Sequence, residues 1–127
     1  MGGVISGALP NGSFRVIIDV GHSDRDPGAV IKTMEYDLFG HKTEYKLNQM
    51  AAGELKKYLE EKGVGVTLLD TPGNQSDNTT TYNFVGSNKD NYACMVSIHH
   101  NDAVQATGSE VLISRDAKDG DLSWKLG

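Results

Sequence analysis

At 127 residues and a formal net charge of -5, the chain has length for one domain with a real core and is short for two. The acidic balance argues against a nucleic-acid partner, which needs clustered Lys and Arg to neutralise phosphates, and 38% hydrophobic with 23% charged residues is the composition of a globular domain rather than a disordered or membrane one. The single cysteine, Cys94, allows no internal disulfide and reads as a small core residue.

In chain order, residues 1–13 are rich in Gly, Ser and Pro and read as a flexible arm. The opening MGGVISGALPNGS has neither a basic n-region nor an apolar h-region, so no secretory signal is expected and export would take another route. FRVIIDV, residues 14–20, is a nearly continuous apolar run rich in β-branched residues, the pattern of a strand covered on both faces. HSDRDPGAV follows, with Asp26-Pro27-Gly28 as its strongest turn signal, which leaves His22 at the carboxyl end of the first strand.

From Thr43 to Lys62, Leu47, Met50, Ala51, Leu55, Tyr58 and Leu59 recur at helical spacing, with Thr43 as cap and Gly63 as stop. VGVTLLD, residues 64–70, predicts a second strand, and a weakly helical stretch runs on to about Asn91. YACMVSIH, residues 92–99, predicts a third buried strand and GSEVLIS, residues 108–114, a fourth. Strands alternating with helices predict an α/β domain with a mixed, mostly parallel sheet flanked by helices. No apolar run approaches the roughly 20 residues that span a bilayer.

Two of the apolar strands end in histidine, at His22 and His99, and ligands of open α/β sheets bind beyond the carboxyl ends of strands. A hydrolytic zinc site typically has three protein ligands from His and Asp or Glu, and Glu35, Glu44 and His41 are the candidates for the third. His41-x-x-Glu44 has i, i+3 spacing and offers a competing set with His99, similar to a metallocarboxypeptidase motif and giving a peptidase as an alternative function. Neighbouring side chains on an extended strand face opposite ways, so only one of His99 and His100 is expected at the metal.

The motifs IIDVGHSDRDPGA, EYKLN, SIHHN and GSEVL, in this order, resemble the zinc-dependent N-acetylmuramoyl-L-alanine amidases that cut bacterial peptidoglycan, enzymes of endolysin and autolysin type. The resemblance spans roughly residues 14–115 and implies a phosphorylase/hydrolase-like α/β domain over 14–127 with Zn2+ held by His22, Glu44 and His99. It implies hydrolysis of the amide between N-acetylmuramic acid and L-alanine, hence peptidoglycan as partner and the bacterial cell wall as the place of action. His100 would then point away, toward the opposite face or into the substrate groove, and with Asn101 it is assigned to substrate binding. Asn48 and Asn88 read as helix packing and loop hydrogen bonding, and Glu110 as a solvent-facing strand carboxylate. Asp19, Asp24 or a backbone carbonyl would orient the zinc histidines.

Two departures from the family pattern stand out. The family has a final helix and a last strand with a glutamate acting as general acid/base, whereas this sequence ends at WKLG; no catalytic acid/base is assigned, and impaired turnover and an uncovered sheet edge that invites self-association are expected. The arginine that often follows the second strand is replaced by Asp70 and Thr71. A non-catalytic, zinc-containing wall-binding module and an unrelated metal-free α/β binding domain are the alternative functions.

Overall fold

The computed structural model describes residues 14–30, 43–70 and 79–101. The elements are β1 (Arg15–Val20), α1 (Glu44–Glu61), β2 (Gly65–Leu69), α2 (Thr79–Asn88), a 3-10 turn over Lys89–Asn91, and β3 (Cys94–Ile98). Expected strand 108–114, with Glu110, and candidates Glu35 and His41 lie outside the described residues.

β1 is the central strand of the order β2-β1-β3, parallel to both neighbours, with Arg15 opposite Gly65 and Val20 opposite Ile98 at the ends of the two registers. All described pairings between strands are parallel, so these residues supply the parallel part of the expected mixed sheet. Being central, β1 is covered on both faces: Val16, Ile17, Ile18 and Val20 are all buried. Ile18 and Val20 face α1 and pack with Tyr45 and Ala52, joined by Leu55, Leu59, Val66, Leu68 and Ile98. On the other face the Thr67 and Tyr92 hydroxyls share a 2.7 Å hydrogen bond and Arg15 lies over the Tyr92 ring.

β3 departs from the expectation of a buried strand. It is an edge strand among the described residues, and Met95 and Val96 are exposed while Cys94 is half-buried. The phase of α1 also differs from the hydrophobic count. Met50 is 37% and Tyr58 58% exposed, whereas Glu44 and Asn48 are buried. The inward face runs Glu44, Asn48, Ala52, Leu55, Leu59, and two of its positions are polar because they serve the strand ends rather than the core.

The start of α1 leaves no first-turn donor unpaired. Glu44 N–H donates to the Ala29 carbonyl at 2.8 Å and Tyr45 N–H to that of Pro27 at 3.0 Å. Lys46 N–H takes the Thr43 hydroxyl at 3.3 Å, and Leu47 N–H opens the helical ladder at the Thr43 carbonyl. A side-chain cap and two loop carbonyls therefore satisfy the N–H groups a helix cannot satisfy itself. The same contacts fix the Asp26-Pro27-Gly28 turn against the helix start. At the far end, Gly63 adopts φ +81, the left-handed stop that glycine accommodates.

Candidate metal centre

Leaving β1, the chain goes through α1 to β2 on one side, then on to β3 on the other. Where the strand order reverses in this way, a crevice opens beyond the carboxyl ends of the strands. His22 and His99 follow the adjacent strands β1 and β3 into that crevice, and Glu44 enters it from the first residue of α1.

The three side chains converge. One ligand atom from each of His22, Glu44 and His99 lies within 4.8 Å of the others. His22 Nε2 stands 3.1 Å from Glu44 Oε2, and His99 Nδ1 stands 2.9 Å from Glu44 Oε1. The two imidazole rings meet edge to face, with centroids 5.0 Å apart. Zinc–ligand lengths near 2 Å put donors around a tetrahedral ion about 3.3 Å apart; the two histidine–carboxylate contacts, one to each Glu44 oxygen, are of that order, and the set as a whole lies within 4.8 Å. The donor types fit equally, since two imidazoles and a carboxylate are a common protein set for a hydrolytic zinc.

Glu44 is the most buried of the three, at 4% exposed, and its two oxygens are served alike. Oε2 accepts from Ala29 N–H at 3.1 Å and approaches His22; Oε1 accepts from His100 N–H at 3.0 Å and approaches His99. Burial alone pushes this carboxyl up. The two backbone N–H groups, the His99 ring and the nearby His22 outweigh it and hold the group below the usual carboxylate range. The centre is thus built around an ionised carboxylate with fixed oxygens.

His22 reaches it from a strained backbone, with φ +67 in a region that non-glycine residues rarely occupy. Such a conformation costs on the order of 1–3 kcal/mol, which a charge-assisted contact of about 1.5–3 kcal/mol can offset. Two glycines make room. A Cβ on Gly28, itself at φ +70, would stand 2.6 Å from Glu44 Oε2 and 2.7 Å from the His22 ring, and one on Gly21 would stand 2.5 Å from the His99 ring.

His100 does not point to the opposite face. The expectation rested on strand alternation, but β3 ends at Ile98, so both histidines leave the ladder and turn toward α1. The His100 ring Nδ1 lies 2.7 Å from Asn48 Oδ1, one helical turn beyond Glu44. Asn48 is fully buried and its Nδ2 also donates to the Gly21 carbonyl at 2.9 Å. Its tie to the second histidine went unforeseen in the sequence, although its i+4 spacing from Glu44 was the available signal. Asn88, read as a loop residue, instead ends α2 and donates to the Phe84 carbonyl one turn back at 2.9 Å.

Several of the carboxylates near the strand ends can be placed. Asp19 lies between Ile18 and Val20, hence on the sheet face away from α1, where its Oδ2 accepts from Ser97 Oγ at 2.7 Å. The carboxylate beside His22 Nδ1 is that of Asp26, at 3.6 Å. Asp70, in place of the expected arginine, accepts from the Tyr45 hydroxyl at 2.7 Å and from Gln49 at 2.8 Å, tying α1 to the end of β2. Burial and the neighbouring Asp70 carboxylate push the Tyr45 hydroxyl well above its ordinary pKa, so it stays a proton donor.

Comparison with known proteins bears on this arrangement. The profile of one family, described as N-acetylmuramoyl-L-alanine amidase, matches residues 16–126. Among solved structures, the chain is similar to the N-acetylmuramoyl-L-alanine amidase AmiC2 of Nostoc punctiforme, at 22% identity and TM-score 0.55 over 73% of this chain and 47% of that one. It is similar to the CwlD amidase of Clostridioides difficile, solved in complex with the GerS lipoprotein, at 26% identity and TM-score 0.50 over 73% and 51%. An N-acetylmuramoyl-L-alanine amidase from Clostridium difficile 630 aligns at 23% identity and TM-score 0.50 over 76% and 48%. The chain therefore spans about half the length of the solved proteins it matches. No curated protein sequence matches it significantly.

Proposed function

Because the chain belongs to the N-acetylmuramoyl-L-alanine amidase family, we propose that it hydrolyses the amide between the lactyl group of N-acetylmuramic acid and L-alanine in bacterial peptidoglycan. The observation that carries this reading is the convergence of His22, Glu44 and His99 at the carboxyl rim of a parallel sheet. On it, these three hold a zinc ion, residues 14–127 form the catalytic unit behind the arm at 1–13, and the place of action is the cell wall.

A bound zinc supplies Lewis-acid polarisation of the scissile carbonyl and acidifies water. The residues do the rest. Glu44 would bring a negative charge that compensates a dication, with the Ala29 and His100 N–H groups keeping its oxygens aimed, and His22 and His99 would supply the imidazole ligands. The strained His22 backbone and the close-packed Gly21 and Gly28 hold the rings to one geometry, which keeps the reacting groups in register. His100 and Asn101, at the same rim, orient the muramyl peptide.

The test is release of stem peptide from purified cell walls, with and without a chelator. Chelator-sensitive release that returns on adding zinc is expected. Zinc binding with wall adhesion but no release would favour the non-catalytic module, and cleavage within the stem peptide that requires His41 would favour the carboxypeptidase-like peptidase.

A further inference from the structure

We propose that Asn48 is a positioning residue that holds the His100 ring in the Nδ1–H form, so that His100 Nε2 stands at the rim as a hydrogen-bond acceptor for an N–H or O–H of the muramyl peptide. The inference deepens the amidase reading and rests on it for the identity of the ligand.

The chain of contacts has one consistent proton assignment. The Gly21 carbonyl can only accept, so the Asn48 group 2.9 Å from it is the NH2, and Asn48 Oδ1 is the atom left facing His100 at 2.7 Å. An amide oxygen can only accept as well, so His100 donates from Nδ1. In the neutral imidazole that places the lone pair on Nε2. Asn48 is fully buried, which shields its bond to Gly21 from water and makes reversal of the amide costly: it would set two oxygens face to face without a donor.

Three further observations give the ring its place. His100 N–H is bonded to Glu44 Oε1, so the residue is anchored to the metal centre at its backbone and to Asn48 at its ring. The residue is exposed, so a ligand can reach it. The contacts of His100 with α1 run through its backbone N–H and Nδ1, so Nε2 is the ring nitrogen on the side away from Asn48. Glu44 and Asn48 are one turn apart on α1, and each fixes one of two consecutive histidines: the first is turned toward the metal, the second toward substrate.

Long-range 1H–15N spectra of the zinc-loaded protein read the tautomer directly, with N-acetylmuramoyl-L-alanyl-D-isoglutamine as the probe ligand. The expected result is an Nδ1–H, Nε2-unprotonated His100 ring whose Nε2 resonance moves on adding the probe. His100→Asn retains a donor at the Nδ1 position and loses the Nε2 acceptor, so it should keep its zinc and its melting temperature while KM for the wall rises about three- to tenfold and kcat changes less. His100→Gln, which reaches the Nε2 position, should recover part of that loss. An Nε2–H ring in the free protein overturns the proposal and leaves the amidase reading standing. An Nδ1–H ring that does not respond while the probe binds elsewhere overturns the ligand contact alone, and failure of the probe to bind with the Nδ1–H form intact overturns the contact together with the reading it rests on.

Discussion

Glu44 shows how one residue organises the site. Its carboxylate is desolvated, which by itself favours the neutral acid, yet two backbone N–H groups, the His99 ring and the nearby His22 reach it and the ionised form wins. The glycines around it lend themselves to a paired test. Gly63 and Gly28 both have positive φ, but a Cβ on Gly63 meets nothing within 4 Å, whereas one on Gly28 meets Glu44 and His22. Gly63→Ala should cost about 1–2 kcal/mol in chemical denaturation, from the left-handed backbone alone, with zinc affinity unchanged. Gly28→Ala should cost that and weaken zinc binding by at least about tenfold, comparable to the loss of an outer-shell partner; equal zinc affinity in the two variants would show that the contact does not matter. Cys94 offers a check remote from the metal. Burial pushes its thiol above the usual value of 9.0, so the native state binds its proton more tightly than the unfolded chain. The stability this provides is complete below about pH 9 and is lost as pH rises through the raised value. Alkylation by iodoacetamide at pH 8 should be slower than in denaturant; equal rates would contradict a partly buried thiol with a raised pKa.

At the scale of elements, α1 does two jobs, and its sequence shows one of them better than the other. Thr43 and Gly63 mark its ends legibly, and both behave as their chemistry predicts. Thr43→Ala removes the hydroxyl that receives Lys46 N–H and should lower stability by about 1 kcal/mol, with the two loop carbonyls still serving Glu44 and Tyr45. A loss well above 2 kcal/mol in urea unfolding would mean that the cap also holds the loop. The inward face was less legible. Counting apolar residues selects Met50 and Tyr58, which are exposed, and passes over Glu44 and Asn48, which are buried. Hydropathy carries no sign that a polar side chain will be buried for the partners it meets, and those partners come from strand ends 27 and 52 residues away in the chain. Of the two directions expected for His100, the opposite face fails for a related reason: alternation holds only while a strand is paired, and nothing local in VSIHHN shows that β3 stops at Ile98.

For the whole molecule, the order β2-β1-β3 matters more than any single contact. Parallel strands put their carboxyl ends on one rim, and reversal of strand order at β1 opens the crevice there. That logic was legible from two apolar strands ending in histidine, and the family resemblance offered Glu44 as their companion; His41 lies outside the described residues. Strand neighbours, and the pairing of Asn48 with His100, depend on long-range packing that spacing does not encode. The account stands on the metal, so zinc per chain, measured by elemental analysis on the full chain and on Glu44→Gln after both are supplied with zinc and desalted, tests it most directly. The account predicts close to one zinc per chain for the unaltered protein and, for the variant, an affinity lower by more than the roughly 10- to 100-fold that loss of an outer partner costs, hence little zinc retained. No zinc in the unaltered protein, or equal zinc in both, would contradict it.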